Sequence, residues 1–176
     1  IDQMNTGVEF GFQAPLIWNI NLKGAMNYGY YIYTNNPYVT ETVDNSEAPV
    51  DGFENAKVYW KDYNVSGTPQ LAGSLGLDYR SRNNLFLSID ASYYDYNYID
   101  LNPLYRTDAA HVNLDEYESQ KLAHQEKFKA AFLLNASVGK MWNIDRKYTL
   151  GINLNVNNLL NTQNIKTGGY EQMRLN

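Results

Sequence analysis

The sequence predicts an all-β chain, an antiparallel meander of about six to seven long strands with the build of an outer-membrane barrel wall. Two patterns carry the prediction. The first is strict alternation over long runs. In GINLNVNNLLN (Gly151 to Asn161), Ile152, Leu154 and Val156 alternate with Asn153, Asn155 and Asn157, and strand side chains point alternately to opposite faces. Such a two-faced strand fits a soluble sandwich with its aliphatics in a core, or a membrane barrel with its aliphatics on lipid and its amides in a wet lumen. The second pattern is the order of the connections, which separates those readings. Links are short around Leu16 to Asn19, Arg80 to Asn84 and Asn143 to Lys147. They are long at about Asn35 to Ala56, Leu104 to Glu126 and beyond Thr162. In an antiparallel meander alternate links fall at opposite ends of the sheet, so one rim carries tight turns and the other carries large loops.

Taken in order, the first strand alternates Val8, Phe10 and Phe12 with Glu9, Gly11 and Gln13 and ends at Pro15. The second sets Ile20, Leu22, Gly24, Met26, Tyr28, Tyr30 and Ile32 against Asn21, Lys23, Ala25, Asn27, Gly29 and Tyr31. A third run extends from about Lys57 to Tyr79, closing with Leu71, Gly73, Leu75, Leu77 and Tyr79 on one face. After a polar turn, Leu85, Leu87, Ile89, Ala91 and Tyr93 alternate with Phe86, Ser88, Asp90, Ser92 and Tyr94. The fifth run places Phe132, Leu134, Ala136, Val138 and Trp142 opposite Asn135, Ser137 and Gly139, and the sixth is the asparagine strand. Several runs exceed the roughly 9 to 11 residues that a tilted membrane strand needs. Trp18 and Trp142 sit beside short links, and the tyrosines of Tyr28 to Tyr33 and Tyr93 to Tyr98 sit toward the long-loop end, as an aromatic belt requires. Leu114 to Phe128 has helical composition, but a short unsupported helix is marginal in water, so the segment is read as loop.

Composition narrows the classes. The net charge of −5 and pI near 5.0 argue against a nucleic-acid surface, which needs a basic stripe. No cysteine is present, so neither disulfides nor cysteine-built metal sites arise. Aromatics make up 14%, carried by 16 tyrosines against 6 phenylalanines and 3 tryptophans, and tyrosine suits surfaces that are apolar at one end and wet at the other. Mean hydropathy is −0.52, and no apolar run approaches the roughly 18 to 20 residues of a spanning helix. Alternating barrel strands escape that test. Ile1 to Gly7 lacks the pattern of a secretory signal, and the chain is read as a fragment.

The segment Val156 to Gln172, VNNLLNTQNIKTGGYEQ, resembles the near-terminal strand and loop of TonB-dependent outer-membrane transporters of the Bacteroidetes type. SLGLDYRSRNNLFLSIDASYYD (Ser74 to Asp95) and LLNASVGKMW (Leu133 to Trp142) resemble the same barrel region. The resemblance implies that residues 1–176 are the carboxyl-terminal portion of a barrel of about 22 strands, with the plug domain and final strands absent. It also implies the partners: outer-membrane lipid, the chain's own plug, TonB through that plug, and a small nutrient such as an iron chelate, cobalamin or a glycan. Nutrient uptake across the bacterial outer membrane, without an enzymatic centre or cofactor, is the function expected. The alternative is a soluble secreted β-sandwich that binds carbohydrate through tyrosine-rich loops.

On the barrel reading, Leu75, Leu77, Leu87, Ile89, Leu134, Val138, Ile152, Leu154 and Val156 face lipid. Asp90, Asn135, Asn153, Asn155 and Asn157 face the lumen. Tyr33, Tyr38, Tyr98, Tyr105 and Tyr170 are the candidate ligand contacts, because tyrosine offers stacking area and a hydrogen-bonding tip. His111 and His124 lie near Asp108, Asp115, Glu116 and Glu118 in one long loop, without zinc or calcium spacing. Asp90 and Asp100 share strand parity while Asp95 has the opposite one, and a lumen or loop surface needs charged groups anyway, so a paired-carboxylate hydrolase is not indicated. No nucleophile-elbow, zinc-protease, Walker or dinucleotide motif occurs, and Thr167 to Gly169 reads as a turn.

Overall fold

The computed structural model describes residues 1–44 and 48–164. The elements in chain order are β1 (Gln3–Pro15), β2 (Ile20–Tyr33), β3 (Tyr38–Val39), β4 (Ala56–Lys57), β5 (Leu71–Arg80), β6 (Leu85–Asp95), helices α1 (Asp108–His111) and α2 (Glu116–Ala123), β7 (Ala131–Ile144) and β8 (Tyr148–Val156). The six long strands form one antiparallel sheet in the order β1-β2-β5-β6-β7-β8, and β3 pairs with β4 in a small ribbon. The fold is thus a mainly antiparallel β meander. Among the described residues its sheet is open at β1 and β8.

Among the described residues, the three tight links between neighbouring long strands lie at one end of this sheet. Backbone with positive φ makes the turns sharp: Trp18 and Asn19 (59° and 60°) join β1 to β2, Asn84 (57°) joins β5 to β6, and Asp145 and Arg146 (51° and 55°) join β7 to β8. Asn and Asp tolerate that region better than other side-chain-bearing residues. Connections 34–70 and 96–130 run from the opposite end and fold into a cap. Its buried cluster is Tyr33, Val58, Trp60 and Leu101, packed on by Val39, Tyr63 and Val65. The densest burial therefore lies in the loops.

Two sequence expectations are corrected here. The run expected from Lys57 to Tyr79 is a strand only from Leu71. Gly67 adopts φ 81°, and Val58 and Trp60 leave the alternation to enter the cap core. The segment read as loop contains α2. Asp115 caps it by accepting from the Glu118 backbone N–H at 2.8 Å, while the Glu118 carboxylate accepts from the Asp115 N–H. This reciprocal cap satisfies two orphan donors, and the Tyr63 hydroxyl donates to the Ala123 carbonyl in the last turn.

Candidate functional site

The sheet has two chemically distinct faces. Cross-strand partners share a face, so the register can be followed across all six strands. One row joins Leu22, Leu77, Ile89, Ala136 and Val156, and another joins Tyr79, Leu87, Val138 and Leu154. Phe10 pairs with Met26, and Ala91 with Leu75 and Leu134. All nine aliphatics expected on the outer face lie on this side. Among the described residues nothing packs over it: Val8 is 69% exposed, Ile152 62%, Leu154 60% and Ile89 52%. For β-branched and leucine side chains in mid-strand, such exposure leaves a broad apolar surface of the kind that marks contact with another apolar phase.

The opposite face is polar and internally bonded. Lys23 on β2 reaches Asp78 (3.1 Å) and Asp90 (3.0 Å). The second contact crosses β5, and it passes over Gly76, where an added Cβ would collide with Lys23 and with the Asp90 carboxylate. The missing side chain at Gly76 is what lets one lysine bridge three strands. Glu9 accepts from Asn27 at 2.9 Å, and the hydroxyls of Ser88 and Ser137 meet at 2.6 Å. Small residues Gly11, Ala25, Ala72 and Ser74, bordered by Glu9, Asn27 and Tyr94, leave an open hollow on this face.

The expected lumen residues fall on this side, with one exception. Asp90 holds Lys23, Asn135 pairs across from Asp90, and Asn153 and Asn155 follow on β8. Asn157 lies beyond the end of β8 at Val156, so strand parity does not place it. The strand stops because the next residue, Asn158, turns the chain at φ 52°. Its side chain accepts from the Thr162 N–H (2.8 Å) and donates to the Thr162 carbonyl (3.0 Å), and its own N–H donates to Asn135 Oδ1 (2.8 Å). The NNLLNT stretch is therefore a knot that ties the end of β8 to β7.

The described ligand candidates do not converge. Tyr33 is buried, its ring stacked on Trp60 at 5.1 Å. It was expected at a ligand surface, but its ring closes the base of the cap core. Tyr98 and Tyr105 are half-buried in the second long connection, where Tyr98 bridges to Lys127 and the Tyr105 carbonyl meets His111 Nε2 at 3.0 Å. Tyr170 lies outside the described residues. Tyr38 is exposed on β3, opposite Lys57, whose ammonium sits 5.2 Å from the ring of Tyr59. The Tyr59 hydroxyl donates to Asp108 at 3.0 Å, which pushes its pKa up. Tyr38, Tyr59, Lys57 and Asp108 thus make an exposed aromatic and charged patch on the cap. The sequence alone does not single out Tyr59, because its segment reads as strand.

Asp95 pairs with Lys127 at 2.8 Å, and Asp100 accepts from Ser66 at 2.9 Å. Lys127 also lies 4.4 Å over the ring of Tyr96, and its bond to Asp95 raises its pKa above the ordinary lysine value. Among the described residues no three His, Asp or Glu side chains gather as a metal site. Arg106 is buried, stacked over Tyr63 at 5.4 Å and bonded to the His124 carbonyl at 3.4 Å, and burial lowers its pKa.

No family model, curated protein or solved structure matches the chain.

Proposed function

We propose that this chain forms part of the wall and outer loops of a TonB-dependent transporter barrel in a bacterial outer membrane, and that it serves nutrient uptake without catalysing a reaction. One observation carries the reading: a six-stranded meander whose one face is apolar apart from Lys140 near the short-turn end and uncovered among the described residues, while the other is polar and hydrogen-bonded. A lipid phase satisfies the first face and a hydrated lumen the second. Strands of 9 to 14 residues reach the roughly 9 to 11 needed to cross with tilt. The open edges at β1 and β8 call for further strands, and closure into a barrel of about 22 strands supplies them. Loops capped by the Tyr38, Tyr59, Lys57 and Asp108 patch stand where a nutrient arrives. A sandwich calls for a second sheet on the apolar face, whereas the small β3–β4 ribbon lies within the cap.

The test is size-exclusion chromatography and circular dichroism of the full chain, with and without detergent. Strand content that depends on detergent or lipid supports the barrel wall. A cooperatively unfolding, detergent-independent monomer overturns it in favour of the carbohydrate-binding sandwich.

A further inference from the structure

The charge of the chain is segregated along the strand axis. Segments 15–21, 80–85 and 140–149, which form the short-turn end, hold Arg80, Arg82, Lys140, Arg146 and Lys147 against the single acid Asp145. In the long connections acidic residues outnumber basic ones, and the whole chain carries −5. Arg82, Arg146 and Lys147 are exposed at turn tips, and the ion pairs found among the described residues involve Lys23 and Lys127 only. Lys140 is the informative one. It stands on the apolar face between Leu85 and Ile152, yet its ammonium reaches sideways to the Asn83 carbonyl in the β5–β6 turn. That is the posture of a lysine whose stem lies on apolar surface and whose head seeks a polar boundary.

The same rim carries unburied apolar and aromatic groups. Trp18 is 78% exposed, Tyr148 70% and Ile17 68%. Trp18 is held there by left-handed backbone, a conformation uncommon for a bulky residue. Trp and Tyr beside Lys and Arg at one level define a membrane–water interface, where the ring bodies meet acyl chains and the cations meet headgroups.

We propose that the short-turn rim is a docking surface for the phosphates of anionic phospholipids in the leaflet that the turns face. Arg82, Lys140, Arg146 and Lys147 supply the charge, and Trp18 and Tyr148 set the depth. The inference rests on the barrel-wall reading and adds a lipid preference to it.

The experiment compares association of the full chain with vesicles of phosphatidylcholine alone and with phosphatidylcholine containing phosphatidylglycerol. The variant combines Arg82→Gln, Arg146→Asn and Lys147→Gln; asparagine suits the left-handed position 146. A control of equal charge change, Lys61→Gln with Lys121→Gln and Lys129→Gln, alters exposed cap lysines. Each rim cation removed is expected to weaken association with the anionic vesicles roughly fivefold at low salt, on the order of a hundredfold for three. The control variant keeps the wild-type preference, and the effect fades toward about 1 M salt as the Debye length shrinks. Equal association of rim variant and wild type with the anionic vesicles overturns the rim assignment, as does an equal loss in the control. If the wild type associates with both vesicles without preference, the rim assignment falls while the barrel wall stands. If it associates with neither vesicle, both readings fall.

Discussion

Ile89→Arg places a charge near the centre of the apolar face. Ile89 is the fifth residue of the eleven in β6. With a rise of about 3.3 Å per residue and a tilt near 40°, β6 spans about 25 Å along the membrane normal, which puts Ile89 about 10 Å from its short-turn end. That height is close to the middle of an apolar band about 25 Å tall. Its flanking partners are Leu77 and Ala136, neither of which can pair with a guanidinium. The expected cost is therefore the mid-bilayer value, about 2 to 4 kcal/mol. Ser92→Arg, on the opposite face of the same strand, is expected to cost no more than about 1 kcal/mol, as for a solvated position. Urea titration of the chain folded into phospholipid vesicles measures both. A third variant separates lipid from a protein core: Ile89→Trp meets no facing layer and stays within about 0.5 kcal/mol, whereas overpacking a core costs about 1 to 3 kcal/mol. An arginine penalty no larger at position 89 than at 92, or a tryptophan penalty of core size, refutes the outward assignment.

Three further outcomes follow from the contacts. Lys23→Met and Gly76→Val both break the bridge from Lys23 to Asp90, so each should lose about 1 kcal/mol or less for these part-exposed groups; a double-mutant cycle should show that the losses do not add. Trp60→Ala removes the stacking partner of Tyr33 and should cost about 3 to 5 kcal/mol, read by hydrogen exchange as lost protection in the cap while β5 to β8 keep theirs. The Lys127 ammonium is stabilised in the folded chain, so its pKa lies above the unfolded value of 10.5. The Lys127 contribution is therefore fully present below about pH 10.5 and disappears as pH rises through the folded value. Urea titrations should show the stability gap between wild type and Lys127→Met constant from about pH 7 to 9.5 and shrinking above about 10.5.

The sequence by itself determined the faces of the strands, the order of short and long connections and the six long strands of the meander. These are local properties: a period of two fixes which side chains share a face, and Asn or Asp at the turn positions fixes where the chain reverses. The tertiary structure decided whatever depends on contacts distant in sequence. Tyr33 reads as an exposed aromatic until Trp60, far along the chain, stacks on it. Val58 and Trp60 read as strand until the cap draws them in. Asn157 continues the alternation on paper, but Asn158 closes the strand because Asn135 and Thr162 offer it partners. The helical composition before Phe128 carries its own reciprocal cap in Asp115 and Glu118, while the tie from Tyr63 to Ala123 comes from the other long connection. Lys140 sits at an apolar strand position by parity, and only the neighbouring turn shows its charge leaving the apolar face. In each case the residue's neighbours in the chain could satisfy either reading, and burial or hydrogen bonding from another connection chose between them.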